Sequence, residues 1–149
     1  MLLNFADGSP FASGRTGYNT LPGTETSAKI TLVVMMGTVL TEVIVDTCAD
    51  YVICAPEEAD VLRHQSTESL GNITIPLHGR SIKGSLHRLQ FSLVAEEGEN
   101  LSFQAPAFLP DPGEQIDADL LPRSCLGLIG CLESMLFAVD PFQMMFYFG

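Results

Sequence analysis

The stretch VIVDTCAD, residues 43–50, decides the fold of this chain. Three β-branched residues come first, and side chains of this kind favour an extended strand. Asp46-Thr47 follows at once, and a carboxylate at the end of a strand is held on rigid backbone, as a catalytic acid requires. By itself, Asp-Thr after a strand is also a common turn in which the Asp side chain bonds its own backbone. The stretch therefore predicts a strand that ends in a tight turn carrying a carboxylate.

The residues on either side of this stretch predict a hairpin before it and a helix after it. KITLVVMM and VLTEVIVD are rich in Val, Ile and Thr and are separated by Gly37-Thr38, which indicates two strands joined by a short turn. In APEEADVLRHQ, Pro56 and Glu57-Glu58 suit the first turn of a helix. We therefore expect the Asp46 turn to lie between a strand and a helix.

The rest of the chain indicates more short strands. Alternating apolar and polar residues predict strands over 72–78 and 86–95, and the polar GRSIKG between them predicts a hairpin with a mobile tip. Residues 101–109 predict another strand, followed by an acidic, Pro-rich loop. The C-terminal part indicates a strand and turn at SCLGLIG, a short helix at CLESML, and strands at FAVDP and QMMFYFG. Short strands, Gly/Pro turns and few helices predict a mostly β chain, a barrel or a sandwich.

Composition narrows the classes of function. The chain has 149 residues, which suggests one domain, and a formal net charge of −11. Such an acidic chain is a poor candidate for nucleic-acid binding, which needs cationic side chains, and anionic membrane surfaces should repel it. The N-terminus lacks a cationic start and a long apolar stretch, and the apolar runs are too short to span a bilayer. We expect a soluble, cytoplasmic protein with no nucleic-acid or membrane partner.

The four cysteines form two pairs with the same spacing, Cys48/Cys54 and Cys125/Cys131. Neither pair is a CxxC motif and no His lies close to either in sequence, which argues against a zinc site. Small buried thiols are the simpler interpretation. We expect no metal and no cofactor.

The pattern around Asp46 resembles the active-site segment of retropepsin-like aspartic proteases, in which two hydrophobic residues precede Asp-Thr/Ser-Gly-Ala, often with another Asp next. CLGLIGCL, residues 125–132, looks like a second segment of that family, and its Gly127 would pack behind the active-site loop. The hairpin between the two segments looks like the family's flap. The resemblance covers residues 28–149. Residues 1–27, rich in Gly, Ser, Thr, Asn and Pro, are expected to form an irregular N-terminal arm.

The resemblance implies a retropepsin-like closed β-barrel with one or two short helices, and an aspartic endopeptidase that cleaves extended peptides. Because the chain has a single Asp-Thr motif of this type, a homodimer has to supply the second carboxylate. Two carboxylates that lie close together share one proton. One then acts as general base on a water molecule, while the other polarises the scissile carbonyl.

Carried over residue by residue, the resemblance makes Asp46 the catalytic acid and base, and Thr47 the residue that hydrogen-bonds the two active-site loops together. Cys48, Ala49 and Asp50 would line the substrate channel. The hairpin would close over a peptide bound by strand-like hydrogen bonds, although its cations are equally compatible with a solvated strand edge. The hairpin residues expected to touch substrate are Arg80, Ser81, Ile82, Lys83 and Gly84.

Cys48 departs from the family pattern, which has Gly at this position. Gly permits backbone torsions and a close substrate approach that a Cβ atom obstructs. Three interpretations stay open: a working but restricted protease, a silent dimeric β module that binds peptides or a protein partner, and an enzyme switched off by oxidation of Cys48. An unrelated small β-barrel, in which Asp46 is only a turn residue, is a further alternative.

Overall fold

The computed structural model describes residues 2–22, 28–65 and 68–149. The protein is mostly β, as the sequence predicts, with one α-helix and one short 3₁₀ turn at Leu132–Ser134 among the described residues. The elements are β1 (Gly14–Gly17), β2 (Asn19–Pro22), β3 (Ala28–Met36), β4 (Val39–Val45), β5 (Val52–Ile53), α1 (Pro56–Gln65), β6 (Ser69–Leu77), β7 (Arg80–Leu93), β8 (Glu97–Gly98), β9 (Leu101–Pro110), β10 (Cys125–Leu126), β11 (Phe137–Asp140) and β12 (Met145–Phe148).

Six paired strands surround the main core, and they are β3, β4, β10, β5, β9 and β7. The larger sheet has the order β2-β3-β4-β10-β5-β9-β7-β6, and β3 pairs with β7 as well as with β4. The inward side chains of these strands form an apolar cluster that includes Leu32, Val43, Phe91 and Leu126. Within residues 2–22, 28–65 and 68–149, β6 pairs only with β7, so the β6–β7 hairpin ends the described sheet at the outer edge of β6.

Strand β10 is inserted between two strands that follow each other in sequence. β4 and β5 are joined by residues 46–51, yet β10 lies between them, parallel to β4 and antiparallel to β5. Cys125 is level with Ile44 on one side and with Ile53 on the other. The insertion brings the C-terminal segment against the Asp46 turn, which is more than 75 residues earlier in the chain.

Several predicted elements are confirmed. The turn between β3 and β4 is Gly37-Thr38, and Gly37 has a φ of 56°, which only Gly adopts without strain. The helix covers Pro56–Gln65 with two acidic residues in its first turn, where the helix dipole favours them, and it buries Ala59 and Leu62. The strand over 101–109 and the C-terminal strands are present as β9, β11 and β12.

The N-terminal segment differs from the prediction of an irregular arm. It contains β1 and β2, and β1 lies between β12 and β8 in a second sheet of order β11-β12-β1-β8. An added Cβ at Gly14 would lie 2.3 Å from the Glu99 carbonyl oxygen and 2.7 Å from the Phe148 ring, so this Gly permits close packing. β1 depends on pairing with β12 and β8, which are distant in the chain. The Gly- and Ser-rich sequence of the N-terminal segment does not indicate this pairing.

The predicted mobile tip over GRSIKG is also wrong. The turn is only two residues, His78 and Gly79, with φ values of 47° and 79°, and residues 80–84 are already extended in β7. Positive φ at both positions is the type I′ geometry that matches the twist of a hairpin. Gly84 allows β9 to pack closely against β7, because an added Cβ at Gly84 would lie 2.3 Å from the Leu109 carbonyl oxygen.

In the part of the chain that the structure describes, no helix has the length and apolar character needed to span a bilayer.

Candidate active site

Asp46 directly follows β4 and is fixed by three hydrogen bonds. Its backbone N–H donates to the Leu126 carbonyl at 3.0 Å. One carboxylate oxygen, Oδ1, accepts the backbone N–H of Cys48 at 2.9 Å, and the Asp46 carbonyl accepts the N–H of Ala49 at 3.3 Å. The turn therefore orients a half-buried carboxylate before any ligand binds.

The segment after β10 packs directly behind this turn. An added Cβ at Gly127 would lie 2.1 Å from the Tyr51 carbonyl oxygen and 2.8 Å from the Ala49 carbonyl oxygen. The next two residues are bonded to the turn, since Leu128 N–H donates to Ala49 O at 2.9 Å and Ile129 N–H donates to Asp50 O at 2.7 Å. Gly127 thus packs against the Asp46 turn.

Ser124 fixes β10 between its two neighbours, a role that the sequence analysis missed. Its side chain is fully buried, and its Oγ accepts the backbone N–H of Ala55 at 2.7 Å. Its carbonyl accepts the N–H of Ile44 at 2.9 Å. A polar residue at the start of an apolar strand was the only sequence signal.

A cavity of about 210 Å³ opens beside Asp46. Its walls come from the Asp46 turn, the β6 end of the hairpin and the loop before β10, and they are largely apolar, with charge supplied by Lys29, Asp46 and Asp50. Cys48 and Ala49 also line it. The lining residues are Lys29, Ile44, Asp46, Cys48, Ala49, Asp50, Tyr51, Ile53, Ile75, Pro76, Leu77, His78, Leu120, Leu121, Pro122 and Cys125.

The hairpin faces this cavity with a different strand from the one predicted. Ile75–Leu77 of β6 and His78 of the turn line the cavity, whereas the five predicted residues of β7 do not. Ile82 is fully buried, and Arg80 Nη1 donates to the Gln115 carbonyl at 2.9 Å. Lys83 donates its backbone N–H to Glu114 Oε1 at 2.8 Å. These residues, Arg80, Ser81, Ile82, Lys83 and Gly84, are thus in the strand that packs against the 111–115 loop and β9.

The β6 side of the hairpin carried a usable signal. Ile73, Ile75 and Leu77 recur at every second position, so they share one face of this strand, which is apolar. The contact was instead predicted for the β7 residues, which include the cations Arg80 and Lys83. Lys29 and the 120–122 loop were also missed, because they come from distant parts of the chain.

The cysteines around the site differ in exposure. Cys54, Cys125 and Cys131 are buried, but Cys48 is exposed, so the expectation of buried thiols is wrong for Cys48. Burial, and next the negative charge of Asp46, raise the pKa of Cys125 to about 12, which keeps this cavity-lining thiol neutral. Burial likewise raises the pKa of Cys54 and that of Cys131.

The backbone at Cys48 is not strained. Among the described residues other than Gly, only His78 and Met144 have positive φ. Cys48 therefore occupies a backbone conformation that any L-residue adopts, and its Cβ obstructs only what enters the cavity. Thr47 is exposed on the same turn, and the structure gives no contact that bears on its predicted hydrogen bond to a second loop.

The site therefore combines one oriented carboxylate, an apolar cavity beside it and an open hairpin edge above it. One chain supplies one copy of Asp46. Residues 2–22, 28–65 and 68–149 contain no cluster of three His, Cys, Asp or Glu side chains able to hold a metal ion. No model of a known protein family matches this sequence, and no curated protein matches it either.

Proposed function

We propose that this protein is a retropepsin-like aspartic endopeptidase that works as a homodimer, with one Asp46 from each subunit. The observation that carries the proposal is the position of Asp46, held at the end of β4 at the edge of a cavity beneath the β6–β7 hairpin. The insertion of β10 between β4 and β5, with Gly127 against the turn, supports it.

In this mechanism the two Asp46 carboxylates hold one proton between them, since two like charges at that distance do not both ionise cheaply. The ionised carboxylate takes a proton from water as its oxygen adds to the scissile carbonyl carbon, and the protonated one gives its proton to the carbonyl oxygen. The C–N bond of this tetrahedral intermediate then breaks, the amine nitrogen takes the proton that came from water, and the new carboxyl product returns a proton to the dyad. The Cys48 N–H on Oδ1 fixes the rotation of each carboxylate, so that the reacting groups start close to the required geometry.

The proposed substrate is an extended peptide. Among the strands of the described residues, none lies beside the outer edge of β6 in the sheet, so its backbone is available to pair with a peptide by strand addition. Ile75–Leu77 of that strand lie at the cavity, which would place a substrate side chain next to Asp46. A volume of about 210 Å³ suits one side chain, whereas whole-ligand sites are commonly about 300 Å³ or more.

The proposal predicts internal cleavage of unstructured peptides at acid pH. The dyad works only while it holds its shared proton, so cleavage should fall as the pH rises and the proton is lost. Digestion of a defined peptide mixture between pH 3 and pH 8, read by mass spectrometry, measures this. Metal chelators and serine-directed reagents should leave the cleavage unchanged. A folded dimer that cleaves nothing across this range would contradict the proposal.

The second candidate is a silent peptide-binding module, and the observation that favours it is the exposed Cys48 side chain in the cavity.

The variant Cys48→Gly separates a restricted protease from a silent peptide-binding module. If the Cβ only narrows the channel, Cys48→Gly should raise kcat/KM several-fold, and the flexibility of Gly should lower stability by about 0.5–1 kcal/mol. Peptide kinetics and thermal melting measure both. A Cys48→Ser variant, which keeps the Cβ, should behave like the parent; equal gains in both variants would contradict the steric explanation.

A further inference from the structure

Two exposed apolar side chains lie beside the Asp46 turn. Leu128 is 37% exposed and Ile129 is 38% exposed. Single exposed apolar residues are ordinary on protein surfaces. These two differ because they are adjacent and are hydrogen-bonded through their backbone to the turn that carries the proposed catalytic residue.

We propose that Leu128 and Ile129 form an apolar contact with a second copy of this chain, and that this contact sets the distance between the two Asp46 carboxylates. The inference rests on the proposed function, which requires a dimer but does not say which surface forms it. It assigns a role to residues that take no part in the cavity.

Hydrogen bonds hold the backbone of Leu128 and Ile129 to the Asp46 turn and to the residues that follow them. Leu128 and Ile129 donate their N–H groups to the carbonyls of Ala49 and Asp50, at 2.9 and 2.7 Å. The Leu128 carbonyl in turn accepts the N–H groups of Cys131 and Glu133, both at 3.1 Å. A surface whose backbone is already ordered loses little conformational entropy when a partner covers it, which favours association.

The short separation from Asp46 along the chain favours a contact of a second copy with this surface. Two carboxylates that share a proton lie within hydrogen-bond distance, about 2.5–3 Å. Ala49 and Asp50, to which Leu128 and Ile129 are bonded, follow Asp46 by only three and four residues. A partner that brings its own Asp46 into hydrogen-bond distance therefore brings its Asp46 turn to the same region, where these apolar side chains are available to it.

Charge also favours this region for a contact between identical chains. Each copy has a formal net charge of −11, so two copies repel each other over most of their surface. Residues 124–132 contain no charged side chain, and the Glu133 carboxylate bonds back to the Gly130 N–H at 2.8 Å. The turn to which this segment is bonded carries two carboxylates, Asp46, which would share a proton with its copy, and Asp50. By contrast, residues 96–119 are acidic and contain no base.

The C-terminal strand offers no open edge for this purpose. β12 has β11 on one side and β1 on the other, both from its own chain. The β11–β12 turn does present Phe142, which is 94% exposed, but it contributes no residue to the cavity. Phe142 therefore serves as a matched control, an exposed apolar residue away from the proposed contact.

The test is the oligomeric state, measured by sedimentation velocity over a concentration series. The double variant Leu128→Asp/Ile129→Asp should raise the dimer dissociation constant roughly thirtyfold or more, as expected for residues central to an interface, and reduce cleavage in parallel. Phe142→Asp should leave both unchanged. The milder Leu128→Ser/Ile129→Ser variant should weaken the dimer in the same direction, and circular dichroism checks that every variant is folded.

The outcomes separate this inference from the proposed function. If the parent chain is a dimer and both double variants dimerise as tightly as it does, the inference is wrong while the protease proposal stands. If Phe142→Asp disrupts the dimer and the double variants do not, the contact lies on the second sheet. A parent chain that remains monomeric at all concentrations, and cleaves nothing, overturns both.

Discussion

Asp46→Asn should abolish peptide cleavage while leaving the chain folded and dimeric. Asn has nearly the same shape as Asp, and its side-chain oxygen still accepts the Cys48 N–H, so the turn is kept. The amide neither takes a proton from water nor donates one as an acid does. Because general acid and base steps each contribute about 10²–10⁴-fold, kcat/KM should fall by at least roughly 10³-fold.

Mixing the two forms of the chain tests whether the site is shared between subunits. If chains exchange freely, an equal mixture of parent and Asp46→Asn contains about one quarter parent homodimers, and activity should fall to about one quarter of that of the same total amount of parent. Independent sites in each chain would instead give about one half. Asp60→Asn, which removes an exposed carboxylate from α1, is the matched control and should retain parent activity. Full cleavage by Asp46→Asn would contradict the proposed role of Asp46.

Local sequence signals predicted the elements whose causes are local. Gly37 marks a tight turn by its positive φ, and Pro56 marks the start of a helix, so the β3–β4 hairpin and α1 were predicted close to their true bounds. The carboxylate of Asp46 at the end of β4 was predicted for the same reason. Each of these depends on residues only a few positions apart.

Two of the errors share a physical cause, which is that Gly serves either to turn the chain or to let another segment approach closely. Gly84 was interpreted as the end of a loop, but it lies within β7. The residue is Gly because Leu109 and Phe108 approach too closely for a Cβ. Gly14 permits a similar approach by Phe148, and the strand that contains it was therefore missed. Whether a Gly turns the chain or lets another segment approach depends on residues far away in sequence, which no local pattern shows.

Gly127 is the position where a close approach was anticipated, and Gly127→Ala should strongly destabilise the protein. The added Cβ would lie 2.1 Å from the Tyr51 carbonyl oxygen and 2.8 Å from that of Ala49, and neither backbone atom moves without opening the turn. Overpacking in a well-ordered interior costs about 1–3 kcal/mol and more where the backbone resists, so we expect about 3 kcal/mol here. For a chain of this size, that corresponds to a fall of roughly 6–12 °C in Tm.

The control for this change is Gly113→Ala. An added Cβ at Gly113 meets nothing within 4 Å and its φ is not in the left-handed region, so its Tm should match that of the parent or rise slightly. The Gly127→Ala protein should also cleave peptides more slowly at temperatures where it is fully folded. Leu126, whose carbonyl holds the Asp46 N–H, immediately precedes Gly127, so a displaced Gly127 moves the proposed catalytic carboxylate as well. A Gly127→Ala protein that melts and cleaves like the parent would mean that the turn yields easily, and the rigid support proposed for Asp46 would then be wrong.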